Sequence, residues 1–360
     1  MKKYILLAVT IFLCTSCFNY VEINNLVLIT GIGIDYEDNN YVLSVEALYQ
    51  NKENSESNFD WGVIKKVTGS SLSDAFNNLS LKLERKPYYS HLKVIIISEE
   101  VAKNHINDLF DYFLRNNNMR NVFSLVVADG QKPDEILSSS NKYYPVVSEE
   151  IRDLLENNTI SKNINKNLYF KNIANNYLSN KKDIYLLMIK TNNDFVTISK
   201  IMTFSNNNFS GYLNNDLLNA FSIISSKNPN VLIKHECGDN KYITANIYKN
   251  SLKYIVNKNS LHVISNLSGE IIENNCNIHL VNADEYNKIS HIFKNIIGKQ
   301  YSEFFNYIKD SNSDIIGINK MYLNKYRRKN KKYFKEVNII FKFNIELNKN
   351  GLIFEVNKHE

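Results

Sequence analysis

Hydrophobic residues follow two different periods along the first half of the chain, and each period predicts its own kind of element. Residues 26–35 (LVLITGIGID) are apolar on both alternating faces, and the turn sequence EDNN joins them to a second run, YVLSVEALY, so the pattern predicts a hairpin in a covered sheet. The run HLKVIIIS predicts a buried strand, and Ser98 at its end is placed to cap a helix whose apolar stripe extends from Ala102 to Leu114. This alternation of strands and helices predicts a mixed N-terminal domain.

Longer strands dominate the second half of the chain. Beyond Pro229 the runs VLIKHEC, YITANIYKNSLKYIVN, LHVISNL and EIIENNCNIHLV predict an antiparallel meander. Asp284 is placed to cap a long helix that Gly298 interrupts, and a second helix is expected over residues 319–331. Residues 337–347 alternate strictly between apolar and polar side chains, which predicts a strand with one buried face. Together these elements predict a self-contained α+β domain.

The fold class that these patterns predict is α+β and multi-domain, with mainly antiparallel sheets. The 360 residues exceed what one core usually covers, which argues for two or three domains. Hydrophobic residues make up 44% of the chain and only 11 Gly and 4 Pro are present, so we expect a folded chain without a long flexible linker.

The N-terminus has the features of a lipoprotein export signal. Two lysines precede an apolar run at residues 5–13, and these nine residues are too few to cross a hydrocarbon core, which needs about 20 residues. Thr15 and Ser16 are small enough for the peptidase groove, and Cys17 then offers a thiol for diacylglycerol and an amine for further acylation. The third residue before this cysteine is usually Leu and is Cys14 here. The alternative is an ordinary secretory signal with a chance cysteine, and both interpretations predict export from the cytoplasm.

The net charge of the chain indicates which class of partner to exclude. The formal net charge is +6, and two of these charges leave with the signal. Nucleic-acid-binding proteins concentrate far more basic charge on one face, so we expect no nucleic-acid partner.

Processing and acylation leave two cysteines, Cys237 and Cys276. A disulfide between them is an option outside the cytoplasm, but we favour two small buried hydrophobic residues, which is the commoner role in a large cysteine-poor chain.

A basic run, KYRRKNKKYFK, extends from Lys325 to Lys335 and is the strongest charge feature of the sequence. One interpretation places it against anionic lipid headgroups near the anchor, where each basic group contributes about 1 kcal/mol. The other, which we favour, is a solvated helix end whose cations complement the helix dipole. The candidate membrane or partner contacts are Arg327, Arg328, Lys331 and Lys332.

Motifs that would carry catalysis or bind a cofactor are absent from the sequence. Gly31 and Gly33 are similar to the start of a dinucleotide fingerprint, but the third glycine is missing and the run continues into a hairpin rather than a helix. The seven histidines show no metal-ligand spacing, and the mature chain contains no G-x-S-x-G, HExxH or CxxC. We therefore expect no cofactor and no metal, and we assign no catalytic residue.

Four separated stretches of the sequence form a pattern that is more specific than any one of them. The first is Cys17 followed at once by FNYVEINNLVLITGIGID. The second is HLKVIIISEEVAKNHINDLFDYFLRNNNMRNVFSLVVADGQKPDEIL and the third is IMTFSNNNFSGYLNNDLLNAFSII. The fourth is DIIGI at residues 314–318, with the closing strand and its turn at Gly351. In order and spacing these stretches resemble the Ger(x)C family, the lipoprotein C subunits of spore germinant receptors.

The first stretch matches the family residue by residue. The family pattern is a cysteine, an aromatic residue, Glu-Ile-Asn and an apolar run that ends in Gly-Ile-Asp. The matching positions are Cys17, Glu22, Ile23, Asn24, Gly33, Ile34 and Asp35. Phe18 stands where the family usually has Trp, and the closing region has only Tyr and Phe where the family commonly carries Trp. These departures concern local packing rather than the family assignment.

The resemblance implies a three-domain α+β lipoprotein on the outer face of the spore inner membrane, held to membrane lipid through acylated Cys17. It implies two integral-membrane partners, the A and B receptor subunits, with which the chain would sense small nutrients and trigger germination. It implies no catalysis, so we expect that the protein is not an enzyme. The expected divisions are a signal peptide at 1–16, an N-terminal α+β domain at 17–190, a small middle domain at 191–238 and a C-terminal α+β domain at 239–360.

Two alternatives belong to other functional classes. A lipid-anchored cell-wall enzyme, for example one that cuts cortex peptidoglycan, would need a positioned acid and base or a metal cluster, and the sequence offers neither. A solute-binding lipoprotein of a transporter would need two similar α/β lobes joined by a hinge, whereas the strands of the second half are predicted to be antiparallel. Both are therefore less consistent with the sequence than a receptor subunit.

Overall fold

A computed structural model describes residues 25–50, 59–116, 119–139, 144–158, 163–164, 168–179, 182–192, 195–238, 240–276, 278, 283–327 and 333–348. Its strands form two sheets. The first sheet contains β1 (Leu26–Glu37), β2 (Asn40–Gln50), β3 (Phe59–Gly69), β4 (Lys86–Tyr88), β5 (Val94–Ile97), β6 (Ser124–Ala128), β7 (Tyr185–Asn192), β8 (Phe195–Ser205) and β9 (Asn208–Leu213). The second contains β10 (Val231–Gly238), β11 (Lys241–Val256), β12 (Ser260–Asn274) and β13 (Asn338–Asn348).

Helices connect and cover these sheets. They are α1 (Leu72–Lys82), α2 (Glu99–Asn104), α3 (Ile106–Arg115), α4 (Pro133–Leu137), α5 (Val147–Asn157), α6 (Phe170–Ser179), α7 (Asn215–Ser225), α8 (Ala283–Asp310), α9 (Ile318–Tyr326) and α10 (Tyr333–Glu336). Ser98 caps α2 as predicted, because its hydroxyl accepts the backbone N–H of Val101 at 3.2 Å. The single helix expected after Ser98 is instead two helices, α2 and α3, which meet at His105.

The first sheet is parallel at its centre and antiparallel at both sides. Its order is β3-β2-β1-β5-β6-β7-β8-β9, in which β1, β5, β6 and β7 are parallel neighbours and β4 pairs with the start of β1. The predicted hairpin is confirmed as β1 and β2, and the pair β8 and β9 forms a second hairpin. Because parallel neighbours begin on the same side, β1, β5, β6 and β7 define one side of the sheet, which we call the amino edge.

Both faces of the central strands are buried, which explains why these strands are apolar throughout. In β5, Ile95 and Ile97 face a core formed with α1, α2, α3 and α6, whereas Val94 and Ile96 face α4 and α5. The second of these cores continues into the second sheet and is closed by α7, α8 and α9. Gly31 and Gly33, the residues similar to a dinucleotide fingerprint, lie inside β1, where a Cβ on Gly33 would collide with Ser44 and Pro133. Their role is therefore close packing within the sheet.

The second sheet confirms the predicted meander and adds a parallel strand. β10, β11 and β12 are antiparallel, LHVISNL and EIIEN belong to the one strand β12, and β13 returns parallel to β12. The long helix α8 passes through Gly298 without a break. This glycine leaves room for the ring of Phe343 on β13, which a Cβ would meet. The prediction of a helix over 319–331 is wrong at its end: α9 ends at Tyr326, since Arg327 adopts the left-handed region with φ 53°.

A disulfide joins Cys237 to Cys276, so the interpretation of these residues as small buried hydrophobic side chains is wrong. The sheet explains the pairing. Cys237 lies at the end of β10 and Cys276 just after β12, and both strands pair with β11. Near these ends Glu236 is opposite Tyr242, whose carbonyl accepts the backbone N–H of Asn275 at 2.9 Å. The two cysteines come together although 39 positions separate them in sequence.

The fold class is α+β, as predicted. The division into domains at 17–190, 191–238 and 239–360 stays a prediction. Strands from 191–238 contribute to both sheets, because β8 and β9 complete the first sheet and β10 begins the second.

Candidate membrane and partner contact site

Most of the predicted contact residues lie outside the part of the chain that the structure describes. These residues are Cys17, Arg328, Lys331 and Lys332. Arg327 is described: it is exposed and forms the C-cap of α9, where its N–H donates to the carbonyl of Leu323 at 2.8 Å. Lipidation of Cys17 and a contact role for the basic run therefore stay predictions.

The start of α9 is fixed by a buried aspartate from the DIIGI motif. One carboxylate oxygen of Asp314 accepts the backbone N–H groups of Gly317 at 2.9 Å and Ile318 at 2.6 Å, and the other accepts that of Asn319 at 2.8 Å. These donors are N–H groups of the first turn, which have no partner within the helix. Burial raises the pKa of Asp314 to about 7, although its three N–H donors oppose this shift.

A second aspartate connects this motif to the amino edge of the first sheet. Asp183, two residues before β7, accepts the backbone N–H of Asp314 at 2.7 Å and that of Asn206 at 2.9 Å. Burial raises the pKa of Asp183. In the neighbouring residue, burial lowers the pKa of Lys182 to about 8. Repulsion from Lys320 also lowers this pKa, whereas attraction to Asp314 raises it. The start of α9 therefore lies at the amino edge.

The other end of α9 lies against the turn between β11 and β12. The ammonium group of Lys325 donates to the carbonyl oxygen of Val256. From α10, the hydroxyl of Tyr333 is within hydrogen-bond distance of two carbonyl oxygens, those of Asn257 at 2.7 Å and Ser260 at 3.1 Å. These contacts place the described ends of the basic run beside residues 256–260.

Strand pairing brings further lysines to this place. Lys253 on β11 is opposite Ile264 on β12, which in turn is opposite Lys342 on β13. We call the basic residues of this region, which lie on β11, the β11–β12 turn, α9, α10 and β13, the basic end. Its members are Lys253, Lys258, Lys320, Lys325, Arg327, Lys335 and Lys342. All seven side chains are exposed, and no ion pair within the described part of the chain involves any of them.

Sequence reasoning found only one segment of the basic end. Lys325 and Lys335 are visible as part of a charge run, whereas Lys253 and Lys342 are separated by most of the C-terminal region. No sequence signal marks them, because their proximity depends on the register between β11, β12 and β13.

The described residues also form a polar cleft of about 670 Å³ between the start of α1 and α3. Two of its carboxylates already have partners: Asp108 accepts the hydroxyl hydrogen of Tyr41 at 2.8 Å, and Asp111 pairs with Arg115 at 2.7 Å. Within the described part of the chain, no group of three His, Cys, Asp or Glu residues could hold a metal ion. No helix among the described residues is long and apolar enough to cross a membrane.

Comparison with known proteins gives matches over almost the whole chain. Residues 19–191 match the family model described as "Spore germination protein N-terminal domain", and residues 199–351 match the one described as "Spore germination B3/ GerAC like, C-terminal". The fold is similar to that in "Crystal Structure of the GerBC protein", with a TM-score of 0.57 at 15% identity over 88% of this chain and 96% of that chain.

Two curated relatives from Bacillus subtilis (strain 168) match a smaller share of the chain. The chain is 24% identical to "Spore germination protein KC" over 162 residues, which are 42% of this chain and 39% of that protein. It is 24% identical to "Putative spore germination protein YfkR" over 149 residues, which are 39% of this chain and 38% of that protein. The match thus spans about two fifths of each relative's length. Because two consecutive family models match the chain in order and the fold agrees with GerBC, the chain belongs to the Ger(x)C family of spore germination proteins.

Proposed function

We propose that this chain is the lipid-anchored C subunit of a spore germinant receptor, which acts on the outer face of the spore inner membrane through contacts with the integral-membrane A and B subunits. The observation that carries this proposal is the consecutive match of both germination-protein models to one chain. The names of the two relatives agree with a role in germination. Such a role requires recognition and assembly rather than a chemical step.

Two independent features support placement outside the cytoplasm. Cys17 ends an export signal of the lipoprotein type, and its acylation would hold the mature chain at the membrane surface. The disulfide between Cys237 and Cys276 lies in a different region of the chain. Disulfides persist in oxidising compartments and are rare in the cytosol, so this bridge suits an exported protein.

Deletion of the gene tests the proposed function. The spores should lose the germination response to the nutrients of the cognate receptor and keep the responses that depend on other receptors. Reintroduction of the unaltered gene should restore the lost response, which controls for effects on neighbouring genes. Normal germination with every nutrient, in a strain whose only receptor is the cognate A and B pair, would contradict the proposal.

A further inference from the structure

The point at which the chain leaves its proposed anchor limits which side of the molecule can face the membrane. Cys17 lies nine residues before Leu26, the first residue of β1, and nine extended residues span at most about 30 Å. Gly31 is opposite Val94, so the residues before Gly31 extend past the start of β5 on the side of the amino edge. The folded body therefore emerges from the anchor at its amino edge.

The basic end adjoins this same edge. Asp183 precedes β7 at the amino edge and accepts the backbone N–H of Asp314, which caps α9. From there α9, about 13 Å long, leads to Lys325 and its contact with Val256. One continuous side of the molecule thus carries the start of β1, the DIIGI loop and the basic end.

The chemistry of this side suits an anionic lipid surface. Two lysines of the basic end, Lys253 and Lys342, are exposed on the outer face of the second sheet, beside the half-buried side chains of Ile255, Ile264 and Ile340. The others lie in the β11–β12 turn and on the exposed sides of α9 and α10, and none of these lysines has a carboxylate partner in an ion pair within the described part of the chain. Beside the start of β1, the ring of Tyr88 on β4 is exposed and pairs by register with Leu28. Tyrosine is enriched at headgroup level in membrane interfaces, and lysine is attracted to anionic lipids.

We propose that the amino edge and the basic end face the bilayer, and that the lysines of the basic end bind anionic phospholipid headgroups. This proposal rests on the proposed lipid anchor and adds the orientation of the folded body. An anchor alone would leave the body free to tilt on its tether. Contact between the basic end and the headgroups would hold it in one orientation and present the opposite side of the first sheet away from the membrane.

A fluorescent probe at the basic end tests this orientation. In the processed chain Cys17 would be acylated and Cys237 is bonded to Cys276, so Asn259→Cys would introduce a single free thiol for an environment-sensitive label. The full lipoprotein would be reconstituted in phosphatidylcholine vesicles with or without phosphatidylglycerol. The label should shift its emission to the blue and be quenched by headgroup-labelled lipid only when phosphatidylglycerol is present. The same label at Ser73→Cys, an exposed position of α1 on the other side of the first sheet, should show neither change.

Matched variants test the lysines themselves. The triple variant Lys253→Gln, Lys258→Gln, Lys342→Gln should lose the emission shift of the label at position 259. The protein with unaltered lysines should also lose this shift in high salt, which screens their charge. The control removes the same charge elsewhere, as Lys241→Gln, Lys249→Gln, Lys288→Gln, and should keep the shift. Equal emission at position 259 in both kinds of vesicle, or an equal response at position 73, would overturn the orientation.

Vesicle flotation separates this proposal from the anchor on which it rests. Flotation with no response at position 259 contradicts the orientation and leaves the anchor intact. Failure to float with any vesicle contradicts the anchor and the orientation together. A response at position 259 that needs the A and B subunits and not phosphatidylglycerol would make the basic end a protein contact and refute lipid binding.

Discussion

Asp183 and Asp314 hold the first sheet to the start of α9 by two hydrogen bonds in opposite directions. The carboxylate of Asp183 accepts the N–H of Asp314 at 2.7 Å, and the carbonyl oxygen of Asp314 accepts the N–H of Asp183 at 3.2 Å. Asp314 is only 4% exposed. Its second role, as the cap of α9, makes this pair the connection between the amino edge and the basic end.

The Asp183–Asp314 connection should make stability depend on pH. Burial raises the pKa of Asp314 from 3.8 to about 7, so between these values the folded chain holds a proton that the unfolded chain has lost. The folded state then binds more protons, and its stability falls as the pH rises through this window. Asp314→Asn should therefore be less stable than the unaltered chain near pH 4, because its amide NH₂ faces the N–H of Asn319, and the difference should shrink or reverse by pH 8.

Denaturant unfolding at intervals between pH 4 and pH 8 measures this difference. Asp310→Asn is the control, since it removes an exposed carboxylate at the end of α8. A difference between Asp314→Asn and the unaltered chain that stays constant across this window would contradict the assignment.

Gly298 should resist replacement although it interrupts a helix pattern. A Cβ at this position would lie 2.6 Å from the ring of Phe343, so Gly298→Ala forces this ring, or the helix and β13, to move. Overpacking of this kind costs about 1–3 kcal/mol, more than the roughly 1 kcal/mol that alanine gains over glycine in a helix. Urea unfolding should show a net loss of stability, whereas Asn295→Ala, on the exposed side of the same helix, should show a small gain. A more stable Gly298→Ala protein would contradict the contact.

The disulfide should contribute a large share of the stability of the second sheet. Its cysteines are 39 positions apart, for which the loop-closure model gives about 3–4 kcal/mol. The double variant Cys237→Ser, Cys276→Ser should therefore unfold at a lower denaturant concentration. A reductant should lower the midpoint of the unaltered chain toward that of the double variant and should not change the variant. Insensitivity of the unaltered chain to the reductant would count against the bridge.

Cys17→Ala should release the protein from the membrane fraction and abolish labelling by radioactive fatty acid, because the variant lacks the thiol and the amine of the processed cysteine. Cys14→Ala is the matched control, since processing there is disfavoured by Leu13 in the cleavage subsite. It should retain both membrane association and label. A Cys17→Ala protein that still takes up label would show that the anchor was assigned to the wrong residue.

Features that depend on neighbouring residues could be predicted from the sequence. The hairpin of β1 and β2, the cap at Ser98 and the alternation of β13 each follow from contacts within one or two elements. The family also follows from the order of four local stretches. The lipid anchor is a prediction of the same local kind.

Only the tertiary structure determined the features that depend on contacts between residues far apart in the sequence. The meander places Cys237 beside Cys276, and the register of β13 on β12 brings Lys342 to the same surface as Lys253. A helical pattern predicted that α9 would continue to residue 331, but the left-handed backbone of Arg327 ends it near the β11–β12 turn. Periodicity shows which face of an element is buried, but not which element covers it, because that choice is made by packing energies summed over the whole chain.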